Sequence, residues 1–538
     1  MERSVSFLGL LVLMGIAYAF SKNRKAVSLR TIVWGVGLQL TFAVIILSQG
    51  TRSFVGMCVL ALLIGVYMLH EDLGEKLPNL LAQGALVAVL GGATTFLCFQ
   101  LAGAGLNLYL VGLALAVSLL LAKYGGDSKA GLAHGFGVLF LASGLAELWA
   151  RGLDGGAVFR ILSDGVSAFL ALSYQGAEFL FGNLAKPEYF FPGEATWPGF
   201  GFQFAFTVLP TILFFSAFMA VMYYLGVVQV LISAMAKFMH WTMRTSGSET
   251  MSCTANVFIG QTEAPFLIKP FLKEMTDSEL HAIMVGGFAT IAGSVLAGYI
   301  AMGVDPGHLL AASVMSAPAA LVMAKLLYPE TEQSVTAGDV EIPDVETADN
   351  VVGAAANGTT EGLTLALNVG AMLIAFISLI ACVDMFLGAF DGVIDGRLLG
   401  GALNEATGEY AGFFPGSLKT FFGTILAPLA FVMGVPWADA ALVGNLLGIK
   451  LAVNEFVSYG LLGEYIAAGE LSPRAAVIAT YALCGFANFS SIGIQIGGIG
   501  AIAPEVRPRL MKIGVRAMFG GALASFMTAT IAGILVQV

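Results

Sequence analysis

Long apolar runs separated by short polar breaks dominate the chain, and many reach the roughly 17 residues at which a helix crosses hydrocarbon. In order, candidate spans cover residues 5–20, 31–48, 54–70, 82–100, 106–122 and 131–148. Residues 158–184 are mixed, punctuated by Arg160, Asp164 and Glu178. They read as an amphipathic helix lying in the interface, with a further span as the alternative. A strong span follows at 203–224, and 226–244, carrying Lys237, His240 and Arg244, again reads as interfacial. Spans near 281–301, 308–327 and 362–388, a Gly-rich polar stretch at 391–416, an apolar stretch at 418–434 and spans near 472–500 and 509–536 complete the chain. Residues 329–361 alone read as soluble: a solvated linker with Glu330, Glu332, Asp339, Glu341, Asp344, Glu346, Asp349 and Glu361.

Two apolar segments, 246–272 and 438–464, are interrupted by polar residues. The first holds Asn256-Val257-Phe258-Ile259-Gly260-Gln261-Thr262-Glu263-Ala264-Pro265. The second holds Gly448-Ile449-Lys450-Leu451-Ala452-Val453-Asn454-Glu455-Phe456-Val457. A carboxylate at bilayer depth is expensive and marks a functional site by default. Gly260 and Pro265 disfavour an unbroken helix. Broken backbone at that depth survives only where it is buried in protein or lines a wet cavity. Downstream of each break a second signature recurs, Gly287-Phe288-Ala289-Thr290-Ile291-Ala292-Gly293-Ser294 and Gly485-Phe486-Ala487-Asn488-Phe489-Ser490-Ser491-Ile492. Each unit therefore runs hairpin, then broken helix.

Charge gives the orientation. Lys22, Arg24, Lys25 and Arg30 place the first loop in the cytoplasm and the N-terminus outside. Lys123, Lys129, Lys237, Arg244 and the cluster Arg507, Arg509, Lys512 and Arg516 then also fall inside. That agreement requires 246–272 and 438–464 each to enter and leave on one side, and 418–434 not to cross. The first hairpin enters from the cytoplasm and the second from outside. Such an inverted repeat points to a secondary transporter with its site at the midplane.

Composition fixes the class. The chain has 538 residues, 58% hydrophobic and 11% charged, with mean hydropathy +0.86; a soluble domain carries about 25% charged residues. The fold expected is an all-α polytopic membrane protein in a lipid bilayer. The net charge of −10 implies no nucleic-acid partner, since much of it comes from the 329–361 loop. Five cysteines (Cys58, Cys98, Cys253, Cys382, Cys484) lack metal-ligand spacing and read as small buried hydrophobes. Residues 5–20 read as a transmembrane helix rather than a removed signal. No Asp-rich diphosphate motif, His-Glu-x-x-His or nucleophile–base set argues for an enzyme.

The polar groups define a binding chemistry. Half-helices ending at mid-membrane expose N–H donors at one end and carbonyls at the other. Carbonyl oxygens with the Thr290 hydroxyl and the Asn256 amide suit a small cation. Glu263 and Glu455 are acceptors; Gln261, Asn488 and Ser491 donate and accept; Phe486 and Phe489 offer flat apolar faces. The set fits a neutral, hydrogen-bonding, partly flat solute, and no arginine in either signature clamps an anion. A structural hydrogen bond is the plainer reading of Glu263 and Glu455, and helix packing that of Ser294 and Ser490. A solute channel stays open as an alternative to a carrier.

Three motifs in order, Gly260 through Pro265, Asn454-Glu455-Phe456-Val457, and Gly485 through Ser491 continuing Ile492-Gly493-Ile494-Gln495, resemble the concentrative nucleoside transporters. The resemblance covers about residues 1–48 and 158–538. It implies a multi-pass homotrimer of the bacterial inner membrane, with scaffold helices and a moving transport domain that takes up nucleosides with sodium by alternating access. Gln261, Thr262 and Glu263, with Gly260 among them and the apolar Val295, match residues that face the nucleobase. Glu455, Asn488 and Ser491, with Phe486 nearby, match those that hold the ribose. Asn256, the carbonyls of Ile259 and Ile291, and Thr290 match a sodium site; no other cofactor is implied. The retained Thr262-Glu263-Ala264-Pro265 points to sodium coupling, with proton coupling through Glu263 or Glu455 as the alternative.

The division that follows is 1–48 N-terminal helices, 51–150 four additional spans that shorter bacterial members lack, and 158–244 scaffold and interfacial helices. Transport repeat 1 covers 246–327, the acidic loop 329–361, scaffold and connecting segments 362–434, and transport repeat 2 covers 438–536.

Overall fold

In hydrocarbon a backbone satisfies its own hydrogen bonds only as helix or closed barrel, and the chain takes the helical solution. The computed structural model describes residues 2–73, 80–102, 107–124, 130–186, 203–336, 348–405 and 407–536. Lys129, Asp339, Glu341, Asp344 and Glu346 lie outside the described residues, as does the side chain of Ser294. Among the described residues, eight helices are long and apolar enough to cross a membrane. The described strands form one antiparallel ribbon, β1 (Leu403–Asn404) with β2 (Glu409–Tyr410).

The chain divides into two units, residues 40–162 and a larger one of 1–39 with 163–536. In order, the first helices are α1 (Glu2–Ala19), α2 (Leu29–Leu47), α3 (Thr51–Leu73), α4 (Leu80–Ala102), α5 (Asn107–Tyr124) and α6 (Ala130–Ala150). The smaller unit packs α6 against α3, α4 and α5, helices that fall where hydropathy places the four additional spans; among their described residues, α3 and α4 are long and apolar enough to cross. Asp154 closes it by accepting from Gly50 N at 2.6 Å and Ala157 N at 2.7 Å. The next helices are α7 (Gly155–Leu170) and α8 (Ser173–Phe181). The run Gly155–Ala185 is long and apolar enough to cross, so length alone admits both readings of 158–184.

The larger unit continues with α9 (Phe204–Tyr224) and α10 (Val227–Met243). Hairpin 1 is α11 (Gly247–Ala255), a turn through Glu263, and a 3-10 helix Ala264–Phe271. Broken helix 1 is α12 (Asp277–Ala289) and α13 (Gly293–Ala301), followed by α14 (Pro306–Leu327). Hairpin 2 is α17 (Trp437–Ala452) with α18 (Glu455–Ala467), after the long α15 (Val351–Asp391) and the short α16 (Leu418–Val432). Broken helix 2 is α19 (Pro473–Leu483) and α20 (Phe489–Ile502), and α21 (Arg507–Leu535) ends the fold. Both units of the expected repeat are present. The axis turns by 115° between α16 and α17, so 418–434 does not run on into hairpin 2.

Burial separates the spans. The apolar windows of α14 and α21 are 89% and 78% buried, and that of α15 is 11%. The first two are core helices of the larger unit; α15 keeps most of its surface on the outside. Cys98, Cys253 and Cys484 are buried as expected, but Cys58 and Cys382 are exposed. A membrane helix solvates apolar faces in lipid, so an apolar run does not imply burial in protein.

The acidic linker needs correction at both ends. Helix α15 starts at Val351, so residues 351–361 are helical and Glu361 lies two to three turns inside. The Asn350 side chain caps that start by accepting from Gly353 N at 2.8 Å, ahead of an Ala-rich run that favours helix. At the other end, residues 329–336 are tied down. Glu330 accepts from Thr276 Oγ1 at 2.7 Å, and Gly247 N donates to Thr336 O at 2.8 Å. Ser334 Oγ donates to Glu279 Oε1 at 2.6 Å, and Ser248 and Thr336 share a 2.6 Å hydroxyl bond. The strap joins the starts of α11 and α12, each opened by a capping box, Ser246 with Glu249 and Thr276 with Glu279. The Gly-rich 391–416 stretch widens α15 into a π-helical turn (Gly392–Leu398). Buried Asp391 and Asp395 there accept from Tyr410 N at 2.8 Å and Phe414 N at 2.7 Å.

Candidate functional site

The two helix breaks meet. Phe486 N donates to Thr290 O at 3.2 Å, joining break 2 to break 1. Gly485 makes the approach: its φ of +137° is a conformation side chains rarely adopt. A Cβ there would lie 2.6 Å from Phe288 O and 2.8 Å from Ser525 Oγ. The C-terminal carbonyls of a half-helix need partners. Ser525 Oγ of α21 donates to Cys484 O at 2.7 Å, and the fully buried Lys450 of α17 donates to Ala482 O at 2.8 Å.

Both N-termini that follow are capped by asparagine. Asn454 accepts from Val457 N at 3.0 Å at the start of α18, and Asn488 Oδ1 accepts from Ser491 N at 2.9 Å at the start of α20. Asn488 then has only its NH2 edge free, and Nδ2 donates to Glu455 Oε2 at 3.2 Å. Tyr299 of α13 donates to Glu455 Oε1 at 3.1 Å. Glu455 is the first residue of α18, where a helix N-terminus favours negative charge. It is 3% exposed and retains unused lone pairs for further donors. The structure thus brings Glu455, Asn488 and Ser491 together and adds Tyr299. Phe486 is half-buried beside them, while Phe489 faces out.

The tip of hairpin 1 lies on break 1. A Cβ on Gly293 would sit 2.7 Å from Phe258 O. Ser313 Oγ of α14 donates to Val257 O at 3.1 Å. Asn256 Nδ2 donates to Ser252 O at 2.9 Å, whereas Asn256 Oδ1 and Ser252 Oγ are buried with no hydrogen-bond partner. Thr290 Oγ1 donates to Gly286 O at 2.8 Å, which leaves its lone pairs available. A buried oxygen left unpaired is costly. A small hard cation would satisfy it, and Asn256 and Thr290 of the expected sodium set offer oxygens suited to one; the Ile259 and Ile291 carbonyls belong to the same two segments.

Gln261, 9% exposed, accepts from Gln495 Nε2 at 2.9 Å. Thr262 packs its methyl toward Gly498 of α20, and Val295 is buried in α13. Glu263 behaves differently. It is exposed, accepts from Thr262 Oγ1 at 2.9 Å, and opens with Ile259 and Gly260 onto a cavity of about 400 Å³. Glu361, Asn357, Tyr223 and Tyr224 line the same cavity, whose size is in the range of small-molecule pockets.

Four contributors had been given no role in the site. Tyr299 lies one turn past Val295 and Gln495 one turn past Ser491, so i, i+4 spacing from suspected residues finds both. Lys450 carries the signal of a charge in an apolar run. Glu361 was hidden by its assignment to the linker.

Three family models match the chain. Residues 8–56 match "Na+ dependent nucleoside transporter N-terminus", 205–305 "Nucleoside recognition", and 308–533 "Na+ dependent nucleoside transporter C-terminus". An uncharacterized transporter of Haemophilus influenzae is 43% identical over 404 residues, 74% of this chain and 90% of that protein. Nucleoside permease NupC of Helicobacter pylori is 40% identical, over 70% of this chain and 84% of that one. Mouse sodium/nucleoside cotransporter 2 is also 40% identical, but the match spans 54% of its length. Among solved structures, CNTnw in an inward-facing substrate-bound state superposes with TM-score 0.70 at 32% identity, over 99% of this chain and 98% of that one. A variant of CNTnw in an outward-facing state gives 0.72, also at 32% identity and with the same coverage of both chains.

Proposed function

Since the chain belongs to the concentrative nucleoside transporter family, we propose that it takes up nucleosides together with sodium by alternating access. Its relatives are transporters by name, and the CNTnw structures include inward-facing, intermediate and outward-facing states. Assembly as a homotrimer in a bacterial inner membrane is part of the same reading, on the strength of the family resemblance.

The observation that carries sodium coupling is Asn256 Oδ1, buried and unpartnered at the hairpin tip that rests on the Thr290 break. Sodium bound there holds residues 256–263 against break 1 and so fixes Gln261 and Thr262 for the nucleobase. Glu455, with Asn488 and Tyr299 already donating to it, takes the ribose hydroxyls on its remaining lone pairs. Linkage makes the coupling reciprocal: nucleoside raises sodium affinity by the factor that sodium raises nucleoside affinity.

The test is uptake of labelled uridine and adenosine into vesicles with and without sodium. Sodium-independent binding in calorimetry rejects the coupling. Thr290→Ala removes one neutral oxygen worth about 0.5–1.5 kcal/mol, so half-maximal uptake shifts to roughly 2- to 12-fold higher sodium. An unchanged sodium curve counts against Thr290 as a ligand. Proton coupling has one observation in its favour, the shared cavity of Glu263 and Glu361. Uptake driven by a pH gradient in sodium-free vesicles replaces sodium with protons in the scheme.

A further inference from the structure

We propose that Gln495 is a positioning residue for base recognition: it fixes the Gln261 carboxamide so that the NH2 edge, not the oxygen, faces the solute. The proposal rests on the reading above, in which a nucleobase lies against Gln261.

The argument starts from a backbone carbonyl. Met284 O in α12 can only accept, and Gln495 Nε2 lies 3.2 Å from it. The Gln495 edge facing α12 is therefore its NH2. Turned over, two oxygens would face each other, and the NH2 would sit where Oε1 now has no partner. With one N–H on Met284 O, the other reaches Gln261 Oε1 at 2.9 Å. That bond turns the Gln261 oxygen inward, taking one of its two lone pairs, and leaves its two N–H groups outward. The reverse flip would set donor against donor between side chains 1% and 9% exposed, where little water can compensate. One carbonyl thus sets two amides in series, and hairpin 1 presents a donor to the solute.

Gly287 supplies the room. A Cβ there would lie 2.7 Å from Gln495 Nε2 and 2.9 Å from Gln261 Cβ. This gives the first glycine of Gly287-Phe288-Ala289 a chemical purpose distinct from the turn made by Gly485 in the second copy. The pair also bridges the repeats, since Gln261 belongs to hairpin 1 and Gln495 to broken helix 2. The specificity that follows is for bases offering a ring nitrogen or carbonyl acceptor on the edge toward hairpin 1.

The experiment compares inhibition of labelled uridine uptake by adenosine and by 1-deaza-, 3-deaza- and 7-deazaadenosine, each lacking one acceptor. In the parent protein one of the three is weaker than adenosine by about 5- to 30-fold, the loss of one hydrogen bond. Gln495→Met, similar in length but without an amide, frees Gln261 to turn and brings that ratio to within about 2-fold of unity. Gln495→Glu can only accept when ionised, so it draws the Gln261 NH2 inward and weakens adenosine more than the deaza analogue. Gly287→Ala separates the pair and collapses the ratio through a different residue, which covers the case of a Gln495 variant that does not fold. Parent-like discrimination in the folded variants overturns the proposal, as does a parent protein indifferent to all three analogues. Absence of any uridine uptake by the parent protein sinks the transport reading instead.

Discussion

Glu455→Gln lowers uptake efficiency for uridine and adenosine by roughly 10- to 100-fold, about 1.5–3 kcal/mol for a charge-assisted hydrogen bond. The carboxylate is 3% exposed and already accepts from Tyr299 Oη and Asn488 Nδ2. A carboxamide keeps one acceptor and turns the other into a donor, so either Tyr299 or Asn488 meets an N–H. On the proposed reading, the ribose hydroxyls lose a charged acceptor at the same time. The loss is expected in apparent KM and maximal rate together, because the network changes before and after substrate binds. Tyr299→Phe removes one donor and leaves the carboxylate, so its effect is smaller. Parent-like transport by Glu455→Gln removes this residue from the site.

Lys325→Met destabilises the protein by about 3–5 kcal/mol, the cost of a buried charge left without its partner. Lys325 Nζ lies 2.6 Å from Glu249 Oε2, with side chains 8% and 2% exposed. It also donates to Ser278 Oγ at 2.9 Å and stands 3.6 Å from Glu330. One ammonium therefore pairs closely with the acid at the start of hairpin 1 and stands within ion-pair distance of the acid of the 329–336 strap. The double variant Glu249→Gln with Lys325→Met removes the uncompensated charge and recovers most of the loss. Thermal unfolding in detergent reads both, and a single variant that melts with the parent protein refutes the argument.

Much of the architecture was legible because interrupting a helix in hydrocarbon takes conspicuous residues. Asn256, Gly260, Pro265, Asn454 and Asn488 stand out against apolar sequence, and the turns and helix starts fall on them. Contacts across the chain were not legible. Tyr299 and Glu455 are 156 residues apart and Gln261 and Gln495 are 234, distances over which spacing carries no information. Matching the acids of the two repeats also concealed a difference. Glu455 opens an α-helix and is buried; Glu263 sits in a turn ahead of a 3-10 helix and is exposed. The linker was misjudged because acidic density, rather than the asparagine cap and the alanines behind it, set its end.

The bond from Phe486 N to Thr290 O places a single peptide hydrogen at the seam between the two copies. Its exchange with deuterated solvent becomes a clock for their separation. A cycle that carries both copies as one body leaves that hydrogen protected through every turnover, however wet the neighbouring cavity becomes. A cycle that parts them exposes it at each turnover, so its exchange speeds up with transport. Whether the cargo is moved by a rocking block or by an opening jaw is thereby written into one amide.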